Sequence, residues 1–185
     1  MWEVVVNAPL EQAKRPVSAL LAGPYGHPFH PILVTVPIGA WASSLVFDVA
    51  SHLVDGPGFL AQGAEWLIAI GVLGALVAAT VGFLDLIAIP SRTRAHRIGL
   101  LHMALNLTVT ALYIAGFAWR HADYPQQAAV GFGPLALSVV SFAVLAVSGY
   151  LGGMLSYRYG VRVAEESTQA EGFGRVEQPA QGGKP

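Results

Sequence analysis

The segment Gly26-His27-Pro28-Phe29-His30-Pro31 sets two imidazoles three residues apart, each followed by proline. A neutral imidazole binds zinc, copper or haem iron and exchanges protons near neutrality. Proline drives the residue before it out of the α region, and Pro31 suits the first position of a helix. If the hexapeptide is extended like polyproline, residues three apart share a side at about 9 Å, too far for both rings to hold one metal unless a turn intervenes. The plainer use of the segment is a rigid approach to a helix, its histidines bonded to interfacial water and headgroups.

Asp85, His102 and Asn106 are a second group. Asp85 precedes Pro90 in one apolar stretch and His102 follows Arg97 in the next, so each lies about 7 Å inside the same end of a helical hairpin. Asn106 is one turn on from His102, on the same helix face. Ionisable groups within an apolar span are costly unless paired or wetted, so their default reading is functional. The alternative is one Asp–His hydrogen bond locking a helix pair. Together His27, His30, Asp85 and His102 converge on one end, with His30 and His102 the evident axial pair for haem b. For a transition metal, Asp85 would coordinate or orient a histidine. Asp48 and His52, four apart, form a secondary polar site at the opposite end, read first as an ion pair.

The elements that must position these groups are long and apolar. The 185-residue chain is 54% hydrophobic and 11% charged, where soluble domains carry roughly 25% charged residues. Four stretches, 31–53, 66–89, 98–119 and 132–157, each exceed the ~20 residues needed to cross about 30 Å of hydrocarbon as a helix. Loops are short and hold Gly, Pro or Arg, so sequential helices are antiparallel neighbours. The expected fold is all-α: an integral membrane four-helix antiparallel bundle over 27–163, after a cytoplasmic segment 1–26 and before a disordered cytoplasmic tail 164–185. Lys14 and Arg15 lead into Pro16, Gly23 and Pro24 rather than an apolar run, so the first span reads as retained and not as a cleaved signal.

Positive charge sets the orientation. Lys14, Arg15, Arg92, Arg94, Arg97, Arg158, Arg162, Arg175 and Lys184 fall on one side and Arg120 alone on the other. Both termini are therefore expected in the cytoplasm, with the chain multi-pass in the plasma membrane. A net charge of −1 gives no basic surface for nucleic acid. The absence of cysteine excludes disulfides, thiolate metal sites and a cysteine nucleophile. Trp41, in mid-helix, is expected against another helix or a cofactor. Ser141, Ser148, Gly149, Gly152 and Gly153 give the fourth helix a face for close approach by the bundle or a second copy. No internal repeat stands out along the chain.

Several motifs resemble one family in order and spacing. They are His-Pro-Phe-His-Pro, Phe47-Asp48, Gly82-Phe83-Leu84-Asp85-Leu86, Leu101-His102 with Asn106, and Gly149-Tyr150-Leu151-Gly152-Gly153 running into Tyr157-Arg158-Tyr159-Gly160-Val161. The stretch from Gly26 to Val163 is similar to the bacterial membrane family called domain of unknown function twenty-two thirty-one. The resemblance implies a four-helix membrane protein. Some relatives are joined to a Rieske-type iron–sulfur domain, which implies an electron-transfer setting; lacking cysteine, this chain would need a separate redox partner. The leading expectation is a His-ligated haem or metal redox site near the cytoplasmic face. The alternatives are a proton or small-solute transport module through Asp85, His102, Asn106, Asp48 and His52, and a structural or assembly subunit. No cofactor-free catalytic constellation is evident.

Overall fold

The computed structural model describes residues 10–16, 28–122 and 128–173; the expectations for His27, Arg175 and Lys184 lie outside them. Four helices are long and apolar enough to cross a membrane: α1 (Phe29–Ala50), α2 (Gly58–Ala88), α3 (Arg94–Ala122) and α4 (Phe132–Tyr157). They overlap the four expected spans, with α2 and α3 starting earlier. Leu73, Val77, Phe83, Val140 and Val147 are more than half exposed. Side chains this apolar, directed outward, match lipid as solvent.

Local chemistry sets the helix ends. Pro28 is extended, and Phe29, His30 and Pro31 form the first turn of α1. His30 is therefore helical rather than extended, a correction to the polyproline reading: the prolines fit a first turn, where backbone N–H groups lack partners anyway. Pro37 cannot donate to the Leu33 carbonyl, and α1 is interrupted just there, at Val34. Pro90 forces Ile89 into the extended region and stops α2. Thr93 caps α3 through the His96 N–H, at 3.1 Å. Past α4, Gly160 takes a φ of 67° and the Val161 N–H bonds the Leu155 carbonyl at 3.0 Å, folding Val161 back onto Leu155.

Helix α1 lies on α2, α2 on α3, α3 on α4 and α4 on α1, which puts α1 and α3 on a diagonal. A middle layer of Trp41, Ile68, Val109 and Tyr113 fills the axis. Trp41 stacks on Tyr113, ring centroids 4.2 Å apart and planes 11° off parallel. That meets the expectation that Trp41 packs against another helix. At one end, Ala13 and Val161 cover Leu86, Ile89 and Leu155. The Arg162 N–H donates to the Ala13 carbonyl at 3.1 Å, so the segments 10–16 and 158–163 clasp that end of the bundle.

After α4 the chain is described as far as residue 173. Glu166–Glu171 forms a short helix, α5. Lys14 Nζ holds both Glu166 carboxylate oxygens at 3.0 Å, giving this polar stretch an ionic anchor in place of apolar burial.

Candidate functional site

His30 and His102 project from the diagonal helices α1 and α3 at the clasped end. Their ring centroids are 6.5 Å apart and their planes 86° apart. His30 Nδ1 lies 3.0 Å from the Ala78 carbonyl on α2. His102 Nδ1 lies 2.8 Å from the Ser148 carbonyl on α4. A carbonyl only accepts, so both Nδ1 atoms carry the proton and, in the neutral rings, Nε2 holds the lone pair.

Both histidines dock by one device. A helix carbonyl already bonded to the N–H four residues on has a second lone pair, which side chains normally screen. Here the residue four on is glycine: Gly82 follows Ala78, and Gly152 follows Ser148. A Cβ added at Gly82 would stand 2.7 Å from His30 Cε1, and one at Gly152 would stand 2.9 Å from His102 Cε1. Glycine is thus what lets each ring reach the carbonyl.

Asn106 closes the His102 side. Its Nδ2 donates to the His102 backbone carbonyl at 3.0 Å and lies 3.1 Å from His102 Nε2. The amide must face its NH2 toward the carbonyl, so it can only donate to Nε2, which fixes His102 as the neutral Nδ1–H form. The Ser148 hydroxyl adds contacts to His102 Nδ1 at 3.1 Å and to its carbonyl at 3.2 Å.

Asp85 is buried in α2, less than one turn beyond Gly82, the seat of His30. Its partner is Arg162, Nε to Oδ1 at 3.0 Å. Asp85 is expected to orient a histidine; here backbone carbonyls bond both Nδ1 atoms. Arg162 reaches Asp85 from a left-handed backbone, φ 58°, a conformation costly for a residue with a Cβ.

At the opposite end Asp48 is fully buried, and its partner is Arg120, not His52. Arg120 Nη1 and Nη2 donate to the two Asp48 oxygens at 2.7 and 2.6 Å, a parallel fork that lysine could not form. Arg120 Nη2 also donates to Ser138 Oγ at 2.9 Å. The network ties α1, α3 and α4 together. His52 stacks on Phe132 instead, centroids 5.3 Å apart. His121 lies in the last turn of α3 with Nδ1 2.9 Å from Glu65 Oε1.

The structure therefore brings His30, His102, Asn106 and Asp85 together and separates Asp48 from His52. From the sequence Arg120 reads only as the lone positive charge of its side, although its place beside the end of an apolar span allows burial. Sequence reasoning also missed Glu65 and the glycine seats, for which spacing to the histidines gives no signal. Among the described residues no group of three His, Cys, Asp or Glu could hold a metal ion.

Residues 26–165 match the profile of a family described as predicted membrane protein (DUF2231). No curated protein and no solved structure matches the chain.

Proposed function

The chain belongs to the DUF2231 family of predicted membrane proteins, and on that premise we propose that His30 and His102 form a two-imidazole site for haem iron in an electron-transfer protein. The observation that carries this reading is the spacing of the rings. A nitrogen ligand lies about 2.0 to 2.1 Å from a first-row metal, so imidazoles on opposite sides of one metal have centroids roughly 6.3 Å apart. The observed separation is 6.5 Å. An Nδ1–H bonded to a backbone carbonyl is also the usual way a protein fixes the tautomer and basicity of a ligating histidine.

The donor set favours haem over a bare ion. The described residues offer no group of three His, Cys, Asp or Glu for an ion, whereas haem brings most of its own donors and would need only His30 and His102 from the protein. Asn106 occupies the His102 Nε2 lone pair; its bond to the His102 carbonyl gives the amide a partner to keep when it swings aside. His30 and His102 would be the residues that hold the haem, and the chemistry it would supply when bound is one-electron transfer. The chain's part is to hold two neutral imidazoles in a low-dielectric bundle, with Asp85 and Arg162 beside them.

Orientation belongs to the same proposal. Arg120 is withdrawn into the Asp48 pair, which leaves its side of the bundle with no exposed Lys or Arg among the described residues. That sharpens the charge asymmetry and supports both termini, and the histidine end, facing the cytoplasm across the plasma membrane. Cysteines placed singly at Ser91 and Gly58 test it: labelling from outside intact cells at Ser91 and not at Gly58 overturns it. A transport path is disfavoured, because the Trp41–Tyr113 stack fills the axis and the Arg120 fork closes Asp48. A second copy would meet α4 at Gly149 and Gly153, where an added Cβ finds no atom within 4 Å.

The deciding experiment is an absorption spectrum with iron analysis on purified wild-type and His102→Ala proteins. A Soret band lost in the variant, with insertion intact, is expected. Equal haem in both proteins, or none in wild type after supplying haem during expression, sinks the reading.

A further inference from the structure

Three contacts on the bundle axis join residues of α1 to residues of α3. His30 faces His102, Trp41 stacks on Tyr113, and Asp48 pairs with Arg120. In all three the partners are separated by the same 72 positions. Residues that touch their own counterparts are the mark of a two-fold axis, because only points near the axis are carried onto their neighbours.

The even-numbered helices repeat the pattern at a constant, slightly shorter step. His30 seats on Gly82 and His102 on Gly152; Phe47 seats on Gly63 and Trp119 on Gly133. An added Cβ would stand 2.9 Å from the Phe47 ring at Gly63 and 2.7 Å from the Trp119 ring at Gly133. Burial follows the same register. Ser44 and Gly116 are both buried, as are Ile68 and Ser138, and Gly71 and Ser141. Packing two hairpins side by side gives approximate symmetry of helices. It does not set imidazole on imidazole, aromatic on aromatic, and glycine under both His30 and His102 and under both Phe47 and Trp119, in one register.

We infer that the membrane domain is two versions of one helical hairpin, α1–α2 and α3–α4, related by a local two-fold axis, and that Asp48 and Arg120 make each hairpin pair with the other rather than with a copy of itself. The His30/His102 and Trp41/Tyr113 tiers are like on like and would accept a self-paired hairpin. The third tier would not. Two copies of the first hairpin would bury Asp48 against Asp48, and two copies of the second Arg120 against Arg120. Like charges buried together are the strongest discrimination a small interface can hold. Ser138 completes the asymmetry, since it bonds Arg120 from the position that Ile68 holds in the first hairpin.

The test exchanges occupants between equivalent positions in the full-length chain and reads thermal unfolding in detergent. Asp48→Arg alone and Arg120→Asp alone put like charges in a buried tier, and each should lower Tm by roughly 10 °C or more, or abolish folded protein. Asp48→Arg with Arg120→Asp should regain at least half of that loss. Adding Ile68→Ser and Ser138→Ile, which moves the hydroxyl with the guanidinium, should regain more. A double exchange no more stable than the worse single variant overturns the pairing role. Should every charged variant fail to fold, a neutral exchange decides the two-fold: Trp41→Tyr and Tyr113→Trp with Gly71→Ser and Ser141→Gly. This protein should melt within about 5 °C of wild type. Loss of its cooperative unfolding overturns the equivalence of the hairpins.

Discussion

His30 of α1 and His102 of α3 face one another across the bundle axis, each with its Nδ1–H on a helix carbonyl and its ring against a glycine. Each glycine is therefore a spacer for one imidazole, and the separation of the rings depends on both.

Replacing either seat tests that dependence. Gly82→Ala and Gly152→Ala would set a methyl group 2.7 and 2.9 Å from a ring carbon. Overpacking of this kind costs about 1 to 3 kcal/mol. Both variants should melt lower and, on the proposed haem reading, lose bound haem. Gly153→Ala is the control, since its Cβ meets nothing within 4 Å; removing glycine from a helix should be neutral or stabilise by up to about 1 kcal/mol. Melting curves alongside haem content would read all three.

Asp48→Asn keeps the shape of the side chain and removes the charge that answers Arg120. Breaking a buried pair by neutralising one partner costs about 3 to 5 kcal/mol, because the other charge stays buried. The expected phenotype is a large drop in thermal stability with the haem content per folded molecule unchanged, since the pair sits at the end of the bundle away from His30. A stable Asp48→Asn protein that has lost its ligand would move the site outward.

Tyr113 gives the opposite prediction. Its ring is stacked on Trp41, while its hydroxyl is buried without a hydrogen-bond partner among the described residues. A buried hydroxyl left unbonded costs about 1 to 3 kcal/mol, so Tyr113→Phe should hold stability or raise it. A Tm that falls by several degrees would show that the hydroxyl is bonded in solution, to an internal water for instance.

The ionic anchor at the chain ends makes a pH prediction. The Lys14 ammonium, hydrogen-bonded to both oxygens, holds the Glu166 carboxyl below its ordinary value of 4.5. A group depressed on folding stabilises above its unfolded value and loses that contribution as the pH falls through the lowered one. The clasp should therefore be intact at neutral pH and loosen only in acid, below the ordinary carboxyl value of 4.5. In Lys14→Gln the Glu166 titration, followed by carboxyl chemical shift, should move up toward 4.5. No movement would show that the pair is open in solution.

Reading along the chain was enough for the number of helices, their order and their approximate spans. Lipid demands ~20 apolar residues with internally satisfied backbone, and that demand is written in one dimension. It was also enough to single out His30, Asp85, His102 and Asn106, because polar groups inside such spans stand out against their background. The partners were another matter. That Asp48 answers Arg120 rather than His52, that Asp85 answers Arg162, and that glycines on α2 and α4 seat the imidazoles are contacts between distant positions, and local spacing carries no record of them. The two-fold relation escaped for the same reason. Few identities survive between the hairpins, and what repeats is which position touches which. Length and hydropathy determined that this chain is a four-span membrane protein; only the packing of the α1–α2 hairpin on the α3–α4 hairpin decided which side chains meet on its axis, since a helix fixes its own face but not what will lie opposite.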